Sequence, residues 1–241
     1  MNGVAEGKVA IISGATGWLG RAVTKQALAA GMRVAIPYRN EDKLKETIAF
    51  VGGGGENILV YPAKVTSEEE MNAFVGSVID KWGRIDILLN IAGGYRGGKE
   101  AWETPLEDFE AMLEWNFLSA LVCSRAVLPT MIKQNYGKIV NVAARPGIER
   151  RGRAKSCAYA VAKAAVAVLT ETIAEECRKT DVTVNAVVPS TIDTPQNRAE
   201  IPQGDFSKWT SPDDVAKVML FLASDDSKVT SGALVPVYGK A

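Results

Sequence analysis

The chain of 241 residues contains no histidine. That absence excludes imidazole proton transfer, Ser-His-Asp and Cys-His catalysis, and histidine-bearing zinc sites. Any group that moves a proton must therefore be Tyr, Lys, Asp, Glu or Cys. Cysteine is nearly as scarce: Cys123, Cys157 and Cys177 form no CxxC pair and read as reduced core thiols rather than a disulfide framework. Net charge is missing as well, because 28 Lys and Arg are balanced by 28 Asp and Glu. No general attraction to nucleic acid or to an anionic membrane is expected. No run of about 18 apolar residues occurs, and the opening MNGVAEGKVAIISG has no basic segment leading into an apolar stretch and a cleavage site. The expectation is a cytoplasmic protein that acts on a small molecule, without a metal.

What is present is an ordinary apolar content, 47% of residues, on a chain long enough to bury one large α/β core. Short apolar runs alternate with stretches of helical periodicity. KVAIISG (8–14), RVAIPY (33–38), ILVYPA (58–63), IDILLN (85–90), KIVNVAA (138–144), VTVNAVVP (182–189) and ALVPVY (233–238) read as strands. Helices are predicted over 21–31, 42–51, 67–82, 105–133, 158–179 and 212–223. Near-continuously apolar strands separated by helices predict a three-layer, doubly wound parallel sheet of about seven strands, a Rossmann fold, as one domain over 1–241. The glycines at 52–55 read as a helix stop and turn. The polar stretch 194–211 reads as irregular, and its 195–210 portion as a substrate lid.

The turn after the first strand carries the first chemical signal. Ser13-Gly14-Ala15-Thr16-Gly17-Trp18-Leu19-Gly20 joins a strand to a helix, where free N–H groups and the helix dipole attract a phosphate. Glycines at such a turn let the backbone approach a pyrophosphate.

Together with Asn90-Ile91-Ala92-Gly93 after the fourth strand, Asn116 in the next helix, and Tyr159-Ala160-Val161-Ala162-Lys163, this turn resembles the short-chain dehydrogenases/reductases over nearly the whole chain. The glycine spacing is that of the family's longer members, and Trp18 stands where compact members usually carry the middle glycine. Tyr159 and Lys163 lie four apart on a helix, so their Cβ atoms are about 5–6 Å apart, and an ammonium beside the phenol favours phenolate. The resemblance implies that Tyr159 protonates the atom next to the hydride acceptor, that Lys163 also holds the nicotinamide ribose, and that Asn116 orders a water in the proton path. Helix capping or core hydrogen bonding is the alternative role for Asn116. The resemblance also places Asn90, Ala92 and Gly93 beside the adenine ribose and central sheet, and has Pro189, Ile192 and Thr194 anchor the nicotinamide carboxamide. It implies a homodimer or homotetramer, paired through helices such as 158–169.

Two departures bear on function. The fifth strand ends Val142-Ala143-Ala144-Arg145, whereas the family usually has a serine there to hold the substrate carbonyl. The pattern resembles the dihydropteridine reductases, which keep Tyr and Lys but have Ala at that position and act on an activated quinonoid substrate. Ala144 thus marks the substrate side, and Arg145 and Ser156 are candidates to replace the hydroxyl. The basic loop of Arg145, Arg150, Arg151, Arg153 and Lys155 reads either as a solvated charge run or as a preference for an anionic or electron-rich substrate. At the end of the second strand, Tyr38 occupies the place of the acid usual in NAD-binding members. Arg39 follows it and can fork onto a 2′-phosphate. NADP is therefore favoured over NAD. Lys64 stands where the family often has an Asp that contacts adenine. The expected activity is reduction of a small carbonyl, quinone or pterin-like acceptor by NADPH. The alternatives are NAD-linked alcohol oxidation and a catalytically weak cofactor-binding or scaffolding protein on the same fold.

Overall fold

Side chains along a strand alternate between the two faces of a sheet, and here both faces are apolar. The structure, a computed structural model, describes residues 6–240. Its strands are β1 (Val9–Ser13), β2 (Arg33–Tyr38), β3 (Ile58–Pro62), β4 (Ile87–Asn90), β5 (Gly137–Val142), β6 (Val182–Pro189) and β7 (Leu234–Val237). They form one sheet of seven strands in the order β3-β2-β1-β4-β5-β6-β7, and every pairing is parallel. Ala10 and Ile12 of β1 pack with one set of helices and Val9 and Ile11 with the other, which makes the predicted three layers. Helices α1 (Trp18–Ala29), α2 (Glu41–Phe50) and α9 (Pro212–Leu222) cover the first face. Helices α3 (Glu68–Trp82), α5 (Ser119–Gln134) and α7 (Cys157–Glu176) cover the second. The strand order reverses between β1 and β4, and in such sheets ligands lie at this switch point, beyond the carboxyl ends of the strands.

Three stretches depart from expectation. The predicted helix 105–133 is divided: α4 (Leu106–Met112) passes into a π-helical segment, Leu113–Leu118, before α5. Single π-turns widen a helix and often occur at functional sites. Residues 194–211 are not irregular throughout, because α8 (Pro195–Glu200) and a 3-10 turn, Phe206–Lys208, form inside them. The Thr194 hydroxyl accepts from the Asn197 N–H at 3.1 Å, and Pro195 occupies the first helical turn, a favourable helix start. The loop after β5 likewise contains a short helix, α6 (Arg145–Ile148).

Two helical stretches, Leu106–Gln134 and Cys157–Glu176, are long and apolar enough to cross a membrane by length and composition. Both pack into the core described above. Residues 52–55 follow α2 as expected, with Gly52, Gly53 and Gly55 at positive φ.

Candidate active site

A cleft of about 540 Å³ opens at the switch point, lined by the β1–α1 turn, the ends of β2 and β4, Asn116, Tyr159, Lys163 and α8. Its size falls in the range of small-molecule and cofactor sites. Gly14 has φ +71, and a Cβ there would lie 2.5 Å from the Ala92 nitrogen. A Cβ on Gly20 would run into the Gly14 carbonyl. The turn is thus closed to side chains on both counts and holds β1, α1 and the segment after β4 together. Gly17, the N-cap of α1, provides no side-chain acceptor, so the first-turn N–H groups remain available to an anion. Trp18 is 45% exposed at the cleft edge, with the Arg21 guanidinium 5.7 Å from its ring centroid.

At the end of β2 the cleft wall is Tyr38, Arg39, Asn40 and Lys43. The Asn40 side chain caps α2 by accepting from the Lys43 N–H at 2.9 Å. Neither Arg39 nor Lys43 forms an ion pair among the described residues, so two cationic side chains stand open beside the strand end. Lys64 is different. It pairs with Glu114 at 2.8 Å and does not line the cleft. The Lys64 hydrogen bond and charge hold the Glu114 carboxyl below its ordinary range.

The proton-handling groups sit opposite. Lys163 is buried, and its Nζ donates to the Val142 carbonyl at 2.7 Å. Burial lowers it to about 8. Tyr159 is raised above its ordinary value, chiefly by burial and secondarily by Tyr95. Lys163 Nζ lies 5.8 Å from the Tyr159 ring centroid. The expectation that a nearby ammonium sets the phenol low is therefore corrected: with Lys163 bound to a carbonyl, desolvation dominates and keeps the phenol protonated. Asn116 lies in the π-helical segment. Its Nδ2 donates to Met112 O at 3.0 Å and Gly94 O at 3.1 Å, and its Oδ1 accepts from Gly94 N at 3.3 Å. Its amide thus clamps the Gly93-Gly94 turn, the hydrogen-bonding role left open above.

Of the residues singled out from the sequence, Gly14, Thr16, Gly17, Trp18, Leu19, Gly20, Arg39, Ala92, Gly93, Asn116, Tyr159, Lys163, Ile192 and Thr194 all line this cleft. Asn90 and Pro189 do not. Asn90 Nδ2 instead donates to Asn141 Oδ1 at 2.8 Å and Ser124 Oγ at 3.2 Å. Asn141 in turn donates to Thr170 Oγ1 at 2.9 Å, which ties β4, β5, α5 and α7 together beneath the cleft. The substrate candidates also fall outside the lining. Ala144 is buried at the N-cap of α6. Arg145 donates to Glu149 at 3.0 Å and stacks on Tyr238 at 4.3 Å. Ser156 Oγ donates to the Gly152 and Arg153 carbonyls at 2.7 and 3.1 Å. Ser156 turns into its own loop, and Arg145 toward Glu149 and Tyr238. The lining contains groups the sequence reading did not select: Tyr95, Gln196, Asn197 and Glu200. Tyr95 stands edge-on to Tyr159, with ring centroids 5.1 Å apart and an interplanar angle of 79°. The only sequence signal for it is its place directly after the Gly93-Gly94 pair.

The donor set fits a nicotinamide dinucleotide: a side-chain-free turn with open N–H groups for the pyrophosphate, cations at the far strand end, and Tyr159 and Lys163 at the other end. Residues 8–204 match the short chain dehydrogenase family. A 3-oxoacyl-[acyl-carrier-protein] reductase from Thermotoga maritima is 34% identical over 97% of both chains. Among solved structures, NADP-bound ElxO is 31% identical with a TM-score of 0.89, over 97% of this chain and 98% of that one. NAD+-bound xylitol dehydrogenase is 28% identical with a TM-score of 0.88 at the same coverage. The fold, the cleft and these similarities agree: the chain is an oxidoreductase and belongs to the short-chain dehydrogenases.

Proposed function

We propose that this protein is a cytoplasmic, NADPH-dependent reductase of small activated acceptors, such as a diketone, a quinone or a quinonoid pterin. The observation that carries this reading is the convergence of Tyr159, Lys163 and the glycine turn on one cleft. When bound, the nicotinamide supplies the hydride. Tyr159, kept protonated by burial, would donate the phenolic proton to an oxygen or nitrogen of the acceptor, which with the hydride gains two electrons and two hydrogens: one C–H and one O–H in a diketone, two O–H in a quinone, two N–H in a quinonoid pterin. Lys163 holds the ribose hydroxyls, and its fixed contact with Val142 O sets the height of its ammonium beneath the phenol. Ile192 and Thr194, which line the cleft, would position the carboxamide. Arg39, with Lys43 beside it, receives the 2′-phosphate that distinguishes NADP.

Support for an activated acceptor comes from the end of β5. Ala143 and Ala144 offer no side-chain hydrogen bond to a developing oxyanion, and loss of one such donor costs about 10²–10³ in rate. Neither Arg145 nor Ser156 reaches the cleft in its place. The segment 195–210 serves as a lid, with α8 as its cleft-facing part. Oligomerisation through α7 would cover the exposed Val161 and Val168.

The test is NADPH consumption by purified protein against simple ketones, diketones, quinones and quinonoid dihydropterin, with NADH in parallel. The expected result is turnover of the activated acceptors with NADPH and little of the simple ketones. Efficient turnover of simple ketones overturns the activated-acceptor reading. Tight NADPH binding without turnover of any acceptor identifies a cofactor-binding protein instead.

A further inference from the structure

Among the residues that line the cleft, the cations are Arg39 and Lys43 at the dinucleotide end and the buried Lys163. Lys163 is buried and committed to Val142 O. Arg145 turns to Glu149 and Tyr238, and Arg153 turns to the Pro146 and Gly147 carbonyls. The ionic group that the lid presents to the cleft is an acid, Glu200, the last residue of α8.

Glu200 and Gln196 are both exposed on α8. Gln196, one turn earlier, donates its Nε2 to Glu200 Oε1 at 2.9 Å. Among the described residues Oε2 has no hydrogen-bond donor, and no Lys, Arg or other cation pairs with the carboxylate. One oxygen of this exposed carboxylate therefore remains able to accept a hydrogen bond from a ligand at the rim of the cleft. Tyr95 faces the same space. It is 53% exposed, and its ring stands at 79° to that of Tyr159 with centroids 5.1 Å apart, so an exposed aromatic side chain lies beside the phenol that donates the proton. After burial, the charge of Glu200 is what raises the Tyr95 phenol, so acid and ring lie within electrostatic reach of each other. An acceptor next to Tyr159 thus meets an aromatic wall and then a carboxylate.

We infer that Tyr95 and Glu200 select the substrate: a planar or aromatic acceptor that carries a hydrogen-bond donor, an amino, ammonium or hydroxyl group, on the side away from its reducible bond. The donor binds Glu200 Oε2, and the ring lies against Tyr95. A carboxylate or phosphate in that position meets like charge, and no Lys or Arg of the lid or of the segment after β4 lines the cleft to offset it. The inference rests on the reductase reading above and narrows it, by excluding acceptors with an acidic group at that distance. Tyr95 and Glu200 are specificity-determining residues and take no part in proton transfer.

The experiment uses two probes with the same reducible group, 1-phenyl-1,2-propanedione bearing either a para-aminomethyl or a para-carboxylate substituent. Each is measured with wild type, Glu200→Gln, Glu200→Lys and, as a charge control on the far end of α7, Glu176→Lys. Both turnover with NADPH and equilibrium binding to the NADP-loaded protein are read. A hydrogen bond to a charged partner is worth about tenfold or more in affinity. Wild type is therefore expected to prefer the aminomethyl probe by about that factor. Glu200→Gln should raise KM for that probe about tenfold with kcat and NADPH affinity unchanged, Glu200→Lys should invert the preference, and Glu176→Lys should leave it as in wild type. Glu200 is exposed at a helix C-terminus, where Lys is favourable, so both variants are expected to fold. The same preference in wild type and Glu200→Lys overturns the inference, as does an equal shift in Glu176→Lys. Absence of turnover with every probe counts against the reductase reading alone, because the binding preference still decides the role of Glu200.

Discussion

The two ends of the cleft are built in different ways. At the dinucleotide end the backbone does the work: Gly14 at positive φ, Gly20 against its carbonyl, and open N–H groups at the start of α1. At the substrate end the work falls to side chains on a loop and a short helix: Tyr95 after β4, and Gln196 and Glu200 on α8. Backbone architecture tolerates few alternatives, because a Cβ on Gly14 or Gly20 collides with the backbone of the segment after β4 or of the turn itself. Side chains on loops can be exchanged without disturbing the sheet. The first end therefore declares a cofactor, and the second sets the substrate of the individual protein.

Breaking the junction between the two ends should have the largest effect. Lys163→Met removes the proposed ribose contact and the ammonium 5.8 Å from the Tyr159 ring, and kcat should fall about 10²–10⁴ in steady-state assays. Wild-type turnover in this variant would separate Lys163 from the chemistry. Next in size, Arg39→Asp should shift the NADPH to NADH ratio of kcat/KM by about 10² toward NADH, through loss of a charge-assisted bond and gain of repulsion. An unchanged ratio would mean that the 2′-phosphate is held elsewhere. Gly14→Ala should destabilise the protein by about 1–3 kcal/mol in denaturant unfolding, from its positive φ and the approach of Ala92. Stability equal to wild type would show that the turn can relax, and that backbone rigidity does not distinguish the two ends.

The smallest effect concerns pH. Burial lowers Lys163 to about 8, whereas an unfolded chain retains that proton up to about 10.4. Between these values the unfolded state binds more protons than the folded one, so the Lys163 contribution to stability rises with pH through that window. Tyr159 acts oppositely above about 10, the ordinary phenol value, because the folded protein retains a proton that the unfolded chain loses. Without cofactor, wild type should therefore gain Tm relative to Lys163→Met from pH 8 to about 10. A constant difference in Tm would contradict the burial of a titrating ammonium.

The sheet was legible because its strands are continuous apolar runs, and the dinucleotide end because its glycine turn has fixed spacing in a strand-turn-helix setting. The π-helical segment around Asn116 was not, since its apolar periodicity continues through Leu113–Leu118 while the clamp on Gly94 depends on a loop distant in sequence. Helix α8 was hidden by its polar composition. Its cause, the Thr194 cap followed by Pro195, is a short-range signal present in the sequence. Asn141 also left a trace, as an amide within the apolar strand KIVNVAA that needed buried partners. Those partners, Asn90 and Thr170, come from elements that only the fold brings together. Tyr95 and Glu200 carry no periodicity or spacing that marks them, and the cleft alone shows what they face.

The most direct test of the central claim is single-turnover NADPH oxidation by Tyr159→Phe, with NADPH affinity measured on the same sample. The prediction is an affinity close to wild type and a hydride-transfer rate lower by about 10²–10⁴. A rate equal to wild type would show that another group delivers the proton and that the cleft does not work as described.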